Sequence, residues 1–378
     1  MQDLEVIKGS INEFSFMSCE ELSSVRKYLQ GHIKKEYESQ TEGGVYELTS
    51  VRIGGIEQWL HIRGKEVNNP VLLFLHGGPG ASMIGVSEKL MRGWEEYFTV
   101  VNWDQRGSGK TVIPEGAEQE SVEIMVSDTI EVIQYLLDHL DKKKVLLIGH
   151  SWGTVLGLHV IKSVPELCYV YVGIGQLINT MESEQVIFQR AREKALEHSD
   201  YETLVQLDRL SPYPNPSCLE SSFIKNCVFL RELLSRYSGE AMVHDLSWFD
   251  AEEVIAFEKF MSPYLDDADI ARGLSSAPEI FSYPYRFAKE YLGIDLIRDL
   301  GFDYKVPVFL FSGKYDWQTP KIISDKWLDK VSCPFKLLVP FERSSHYMIN
   351  EEPGKILFEL VSKVLVFCNE EEHENIRL

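Results

Sequence analysis

Cysteine is sparse in this sequence. The 378 residues include six cysteines, which are scattered with no CxxC pair and no spacing typical of a metal site. In a chain of this length, isolated cysteines are typical of reduced thiols in a cytoplasmic protein. The sequence therefore predicts no disulfide framework and no metal centre, and it favours a cytoplasmic location.

The sequence also lacks long apolar runs and an excess of basic residues. No stretch reaches the roughly 20 apolar residues that a transmembrane helix needs, and residues 1–22 contain no apolar run of signal-peptide length. The 58 acidic residues outnumber the 38 basic ones, which gives a net charge of −20. Because phosphate backbones select basic surfaces, we expect no nucleic acid as a partner, and we expect no membrane either.

Several short apolar runs are present instead. Such runs are typical of strands buried on both faces of a parallel sheet. They alternate with helical patterns, the clearest of which covers residues 121–140, and this alternation predicts a doubly wound α/β fold with a mostly parallel sheet. The runs are VLLFLHGG (71–78), FTVVNWD (98–104), KVLLIGHS (144–151), YVYVGIG (169–175), VPVFLFSG (306–313) and FKLLVP (335–340).

The domain organisation follows from where this alternation stops. Two expected strands flank Gly54-Gly55, which predicts a hairpin at the start of the core. Residues 176–300 carry helical patterns but no clear buried strand. We therefore expect a mainly helical cap at 176–300, inserted into an α/β core made of residues 43–175 and 301–378.

Residues 1–42 form a polar N-terminal extension. Apolar residues recur there at helical spacing, at Leu22, Val25, Leu29 and Ile33. This spacing predicts one amphipathic helix. It leaves open whether the helix packs on the core, on the cap or on another subunit.

A candidate nucleophile lies between an expected strand and an expected helix. Gly149-His150-Ser151-Trp152-Gly153 matches G-x-S-x-G in that position. A serine there occupies a sharp, strained turn, and its hydroxyl projects from the carboxyl edge of the sheet. We predict Ser151 as the nucleophile, with an incidental serine in a glycine-rich turn as the competing interpretation.

A serine hydroxyl needs a base to take its proton and an acid to orient that base. When such a serine turn lies on a doubly wound sheet, the expected chain order is Ser, then Asp or Glu, then His, with the last two in loops after late strands. Asp316 follows the run at 306–313 and His346 follows the run at 335–340. We therefore predict Asp316 as the acid and His346 as the base, while Glu342 and Asp325 stay open as alternatives to Asp316.

The oxyanion hole is expected beside the serine. His76-Gly77-Gly78-Pro79-Gly80 follows a buried run, and glycines there let backbone N–H groups approach a developing oxyanion. The expected donors are the N–H of Gly77 or Gly78 together with that of Trp152. Chemistry of this kind needs no metal and no organic cofactor.

A second glycine-rich segment, GSGKT at 107–111, only partly resembles a phosphate-binding loop. The pattern G-x-x-x-x-G-K-[ST] requires glycine at the position that Asp104 occupies. A nucleotide site is therefore not predicted.

Together, these motifs resemble the prolyl iminopeptidase family of α/β-hydrolases. The resemblance covers the core, roughly residues 45–175 and 305–370, and the pair HGGPG and WDQRGSG is more specific than the elbow alone. It implies the roles of nucleophile, acid and base for Ser151, Asp316 and His346, and the release of an N-terminal residue, often proline, from a peptide. The motifs are HGGPG (76–80), NWDQRGSGKT (102–111), GHSWG (149–153), SGKYDWQTP (312–320) and the late His346.

The same resemblance implies that carboxylates of the cap bind the free amine of the substrate. Residues 176–300 contain 22 Asp and Glu residues. Glu184 is our prediction for the amine ligand, and a solvated carboxylate at a helix start is the alternative. The sequence departs from the family at His150, where many members have a small residue, and in its longer N-terminal extension.

A small peptide is therefore the expected substrate. Two other interpretations stay open: an esterase acting on another small acyl substrate, and a non-catalytic ligand-binding protein that retains the hydrolase fold. The sequence gives no indication of the oligomeric state.

Overall fold

A single sheet forms the centre of the molecule. The computed structural model describes residues 17–40, 43–215, 221–238, 257–275 and 285–368, and its strands and helices are counted within those ranges. The sheet has eight strands, in the spatial order β1-β2-β4-β3-β5-β6-β7-β8. Their bounds are β1 (Val45–Ile53), β2 (Ile56–Gly64), β3 (Val71–Leu75), β4 (Thr99–Asp104), β5 (Val145–His150), β6 (Cys168–Ile174), β7 (Val308–Gly313) and β8 (Lys336–Phe341).

The strand pairing confirms the predicted fold class. Strands β1 and β2 form the expected hairpin through Gly54-Gly55, and β2 pairs antiparallel with β4. From β4 to β8 each neighbouring pair is parallel. Because the carboxyl ends of parallel strands lie at one edge of the sheet, the loops that follow β3, β5, β7 and β8 meet there.

Helices cover both faces of the sheet. Successive strand residues alternate between the two layers: Leu73 packs with the layer that contains α3 and α4, and Leu72 with the layer that contains α12 and α13. After α13 the chain continues as a π-helical turn (Leu360–Val364) and a 3₁₀ turn (Leu365–Cys368). The helices are α1 (Cys19–Gln40), α2 (Ser87–Leu90), α3 (Val122–His139), α4 (Trp152–Ser163), α5 (Thr180–Glu197), α6 (Tyr201–Leu210), α7 (Ser221–Ser238), α8 (Asp267–Ser275), α9 (Tyr285–Leu292), α10 (Leu296–Leu300), α11 (Lys321–Lys330), α12 (Met348–Glu351) and α13 (Pro353–Glu359).

The N-terminal extension contributes the long helix α1, which begins with a capping box. The Ser18 hydroxyl accepts a hydrogen bond from the Glu21 backbone N–H, and the Glu21 carboxylate accepts one from the Ser18 N–H. The predicted apolar stripe is wrong at one position, because Val25 is 41% exposed whereas Arg26 is buried.

Arg26 is buried because it anchors α1 to the segment that precedes α8. Its guanidinium donates to the backbone carbonyls of Phe260 and Leu265 and pairs with Asp267. Leu22 packs in a small apolar cluster with Phe260 and Leu265. The extension therefore packs against the segment inserted between β6 and β7. Residues 1–16 and 41–42 lie outside the described residues.

Helices α5 to α10 lie between β6 and β7. The described part of this inserted segment contributes no strand to the sheet; residues 216–220, 239–256 and 276–284 lie outside the described ranges. The helical character agrees with the sequence pattern, and the division into core and cap at residues 176 and 300 stays a prediction.

Two further sequence predictions concern cysteines and membranes. Five of the six cysteines are described and none of these five is in a disulfide; Cys218 lies outside the described residues. Among the helices that the structure describes, none is long and apolar enough to cross a bilayer.

Candidate active site

Ser151 lies in a strained turn between β5 and α4. Its backbone has φ 52° and ψ −118°, a conformation that residues with a side chain rarely adopt. Two glycines permit this turn. A Cβ atom at Gly153 would lie 2.1 Å from the carbonyl oxygen of Leu75, and one at Gly149 would lie 2.5 Å from the carbonyl oxygen of Gly153. The elbow motif therefore has the geometry that its sequence context predicts.

The structure brings Asp316 and His346 together, although they are 30 residues apart in sequence. The distance from His346 Nδ1 to Asp316 Oδ2 is 2.9 Å, and both residues are buried. Asp316 Oδ1 accepts from the backbone N–H groups of Gln318 (3.0 Å) and Thr319 (2.8 Å), and Oδ2 also accepts from the Thr319 hydroxyl at 2.9 Å. Four contacts thus fix this carboxylate, and its bond to Nδ1 leaves Nε2 of His346 as the nitrogen that could act as a base.

The two alternative acids lie elsewhere. Asp325 is on α11, where it accepts a hydrogen bond from Lys321 at 2.6 Å. The Glu342 side chain is 66% exposed and lies 3.5 Å from the Lys314 amine. Among these three carboxylates, Asp316 is the one that binds the imidazole of His346.

His150 links the elbow to the loop that carries His346. Its Nε2 lies 3.1 Å from the carbonyl oxygen of His346, and the two rings are 4.9 Å apart. Burial lowers the pKa of His150 to about 3, and the nearby ring of His346 acts in the same direction. His150 is therefore neutral at ordinary pH and can donate Nε2–H to that carbonyl. Ser151 and His346 themselves are not hydrogen-bonded in this structure.

The HGGPG loop lies directly against the elbow. A Cβ atom at Gly77 would lie 3.1 Å from the Ser151 Cβ and 3.0 Å from His150 Nδ1, so a side chain there would require the elbow to shift by a few tenths of an ångström. Gly78 has a positive φ of 108°, which also favours glycine. Trp152 is the first residue of α4 and is buried. Gly77 and Trp152 thus flank the serine, with Gly78 next in the same loop, and the role of all three as oxyanion donors stays a prediction.

Gln105, which sequence reasoning missed, ties the two halves of this region together. Its backbone N–H donates to His76 Nε2 (3.2 Å), and its side-chain amide donates to the His76 carbonyl (3.0 Å). Its Oε1 accepts from the indole N–H of Trp152 at 3.0 Å. Burial lowers the pKa of His76 to about 4, so the ring is neutral and can accept at Nε2. The WDQRGSG motif was the available signal, but it does not say what its glutamine contacts.

The rest of that motif has a structural role. Arg106 is buried and binds both carboxylate oxygens of Asp128, at 2.8 and 3.0 Å. The Lys110 backbone N–H donates to the Asp104 carboxylate at 2.8 Å, and the Lys110 amine pairs with Asp269. The GSGKT segment therefore binds carboxylates of the protein itself.

Glu184 lies on α5 and is 2% exposed. Its carboxylate accepts from both terminal nitrogens of Arg231, at 2.8 Å for Nη1, and from the Tyr213 hydroxyl at 2.6 Å. Burial raises the pKa of Glu184, but the charge and hydrogen bonds of Arg231 outweigh burial and leave this pKa below its ordinary value.

The Glu184 carboxylate is therefore ionised and already paired with a cation. The alternative of a solvated carboxylate is wrong. The role of amine ligand stays a prediction, and it would require Arg231 to share its partner with a substrate ammonium.

Comparison with known proteins identifies the family. Residues 70–353 match the family described as alpha/beta hydrolase fold. The chain belongs to the α/β-hydrolase family. The matched span includes the elbow, Asp316, His346 and the whole inserted segment.

Relatives of this α/β-hydrolase include aminopeptidases. The probable aminopeptidase YbaC of Bacillus subtilis is 34% identical over 313 residues, which is 81% of this chain and 92% of that protein. The proline iminopeptidase of Arabidopsis thaliana is 36% identical over 103 residues, 27% of this chain and 25% of that protein. Among solved structures, a proline iminopeptidase-related protein from Thermus thermophilus superposes with a TM-score of 0.56 at 20% sequence identity. The superposition covers 86% of this chain and 98% of that protein, which shows that the two share a fold.

Proposed function

We propose that this α/β-hydrolase is a serine aminopeptidase that releases an N-terminal residue, proline among the candidates, from small peptides. The observation that carries the proposal is the Asp316–His346 hydrogen bond of 2.9 Å, at the same sheet edge as the strained Ser151 turn. An acid–imidazole pair and a serine in such a turn are the parts that acyl transfer requires. The similarity to the probable aminopeptidase YbaC over most of both chains supports the peptidase assignment.

In the proposed reaction, Ser151 Oγ attacks the carbonyl carbon of the first peptide bond while His346 Nε2 accepts its proton. The N–H groups of Trp152 and of Gly77 or Gly78 stabilise the oxyanion. Asp316 holds the imidazole in the tautomer with the proton on Nδ1 and stabilises the imidazolium. His346 then protonates the leaving amine, and a water molecule cleaves the acyl-enzyme by the reverse proton path. No cofactor enters this scheme.

The free amine of the substrate distinguishes an aminopeptidase from an esterase on the same scaffold. An ammonium that leaves water needs an anionic partner. Helices α5 to α10 are the source we propose for that partner, because they follow β6 at the carboxyl edge of the sheet. An esterase would accept substrates that have no free amine.

The test is hydrolysis of prolyl-, alanyl- and N-acetyl-prolyl-arylamides, with a short-chain p-nitrophenyl ester beside them, by wild type and by Ser151→Ala. We expect cleavage of the free aminoacyl-arylamides, with loss on N-acetylation and in the variant. Ester turnover without arylamide cleavage would replace the peptidase assignment by an esterase. Full turnover by Ser151→Ala would remove Ser151 from the mechanism, and absence of both hydrolysis and fluorophosphonate labelling would favour a non-catalytic binding protein.

A further inference from the structure

Residues of the inserted segment contact the loop that carries Asp316. Within this acid loop (residues 316–319), the Gln318 side-chain oxygen accepts a hydrogen bond from Arg231 Nε at 2.8 Å. The Gln318 backbone N–H donates to Asp316 Oδ1 at 3.0 Å. The neighbouring Trp317 ring lies 4.9 Å from the guanidinium carbon of Arg190 on α5. Two helices of the inserted segment, α5 and α7, therefore contact the acid loop.

Arg231 is itself fixed in one orientation. Glu184 binds both of its terminal nitrogens, and the Cys227 carbonyl accepts from Nη1 at 3.3 Å. The side chains of Glu184 and Arg231 are 3% and 18% exposed. Removing one partner of such a buried ion pair is costly, because the other charge is left unpaired. Because the guanidinium group is planar and both of its terminal nitrogens bind Glu184, the Nε–H of Arg231 points toward Gln318.

We propose that Glu184, Arg231 and Gln318 form a clamp that positions the catalytic acid, so that docking of the inserted helices onto the acid loop sets the orientation of Asp316 and His346. This inference rests on the proposed function, in which Asp316 orients the base. The three are positioning residues, since they act on the reacting atoms only through the acid loop. The clamp gives Glu184 a different role from the amine ligand that the sequence predicts.

The two roles of Glu184 differ in how they depend on the substrate. An amine ligand matters only for substrates that carry a free amine. A residue that positions Asp316 matters for every substrate, because proton transfer between Ser151 and His346 is common to all of them. The effect of a positioning residue also falls mainly on kcat, since it leaves the binding contacts of the substrate in place.

The experiment compares two substrates across four variants. Alanyl-arylamide carries a free amine and p-nitrophenyl acetate has none. Gln318→Ala removes the contact with Arg231 while leaving the Glu184–Arg231 pair intact, so the inserted segment keeps its ion pair. Arg231→Met removes all contacts of the clamp. Arg231→Lys keeps the positive charge but loses the guanidinium group that binds Glu184 and Gln318 at the same time. Arg192→Met is the matched control, because Arg192 pairs on the surface with Asp208 of α6.

We expect Gln318→Ala to lower kcat about 10-fold on both substrates, with KM changed less than about threefold, in keeping with the rate loss from a slightly misplaced catalytic group. Arg231→Met should lower kcat at least as much, Arg231→Lys should recover part of the loss, and Arg192→Met should stay within about twofold of wild type. If Arg231→Met fails to fold, Gln318→Ala still decides the question.

Gln318→Ala with kcat within about twofold of wild type on both substrates would overturn the clamp. A loss confined to the arylamide, in Gln318→Ala or Arg231→Met, would also overturn it and assign the cluster to amine recognition. If wild type cleaves the ester but no arylamide, the aminopeptidase assignment fails, whereas the ester measurements and the rate of Ser151 labelling by a fluorophosphonate still test the clamp.

Discussion

Replacing Asp316 with asparagine probes the proposed mechanism most directly, because the two side chains have nearly the same shape. The amide oxygen of asparagine can still accept from the backbone N–H groups of Gln318 and Thr319, as Oδ1 of Asp316 does. The amide NH₂ then faces Nδ1 of His346, where Oδ2 of the aspartate accepts at 2.9 Å. An NH₂ group cannot accept from Nδ1–H, so the imidazole adopts the tautomer with its proton on Nε2. That nitrogen can no longer take the proton of Ser151.

The expected loss follows from this change of tautomer. The equivalent substitution in a serine protease of another fold lowers kcat about 10⁴-fold. At about 1.36 kcal/mol for each factor of ten, this is a barrier increase of ~5 kcal/mol. The fold should change little, because the backbone N–H groups keep an acceptor and the Thr319 hydroxyl can accept from the new NH₂. A net destabilisation of ~1 kcal/mol corresponds to a shift in Tm of a few degrees at most.

The assay is kcat for the ester and the arylamide, together with Tm, for wild type and Asp316→Asn. Asp325→Asn is the matched control, since Asp325 pairs with Lys321 on α11 and was the alternative acid. Asp316→Asn with more than a tenth of wild-type kcat would refute the assignment. An equal loss in Asp325→Asn would refute it as well, because a carboxylate that pairs with Lys321 and not with His346 would then matter as much.

Substitutions at three other positions test further contacts. His150→Gly removes the donor to the His346 carbonyl, so kcat should fall roughly 10- to 100-fold with KM nearly unchanged. His150→Gln can still donate to that carbonyl and should retain more activity than His150→Gly. Equal activity in wild type and His150→Gly would contradict this role of His150. Gln105→Ala breaks the hydrogen bonds to His76 and to the Trp152 indole, which hold the HGGPG loop against α4, and should lower kcat by up to about 10²-fold, the loss expected when an oxyanion donor is displaced. A change seen only in KM would rule out this positioning role. Glu88 accepts hydrogen bonds from Tyr46 and Tyr264, and burial raises its pKa to about 7 from 4.5. Because the folded state holds the proton more tightly than the unfolded chain, stability should fall by a few kcal/mol as pH rises from about 4.5 to 7 and then level off. Glu88→Gln should flatten that part of the Tm–pH curve, and an unchanged slope would show that other groups cause it.

Much of the fold could be predicted from local pattern. Each predicted strand, from the 45–64 hairpin to 335–340, corresponds to a strand of the sheet. The central strands are buried on both faces, and such burial requires a continuous apolar run. The elbow around Ser151 could also be predicted, since its two glycines are required by the turn itself. Asp316 and His346 followed from the order of loops after late strands, and the structure places them in contact.

Predictions about polar contacts were less successful. The helix in the extension was predicted, but its buried face was wrong by one residue, because an arginine at position 26 reaches carbonyls more than 230 residues away. The role of Glu184 as a ligand for a substrate amine stays a prediction, but its pairing with Arg231 on another helix had no signal in the sequence. The WDQRGSG motif contains Gln105, but the hydrogen bonds of Gln105 to His76 and Trp152 are visible only in the fold.

The sequence by itself determined the alternation of strands and helices, the strained serine turn and the chain order of acid and base, because each depends on periodicity or on glycine within a short stretch. Only the tertiary structure decided which polar side chains meet: Arg26 with the segment before α8, Gln105 between the HGGPG loop and Trp152, and Arg231 between Glu184 and Gln318. The physical reason is that apolar periodicity reports whether a residue faces a core. The partner of a buried charge or amide is set by how distant segments pack, and that packing leaves no local signature in the chain.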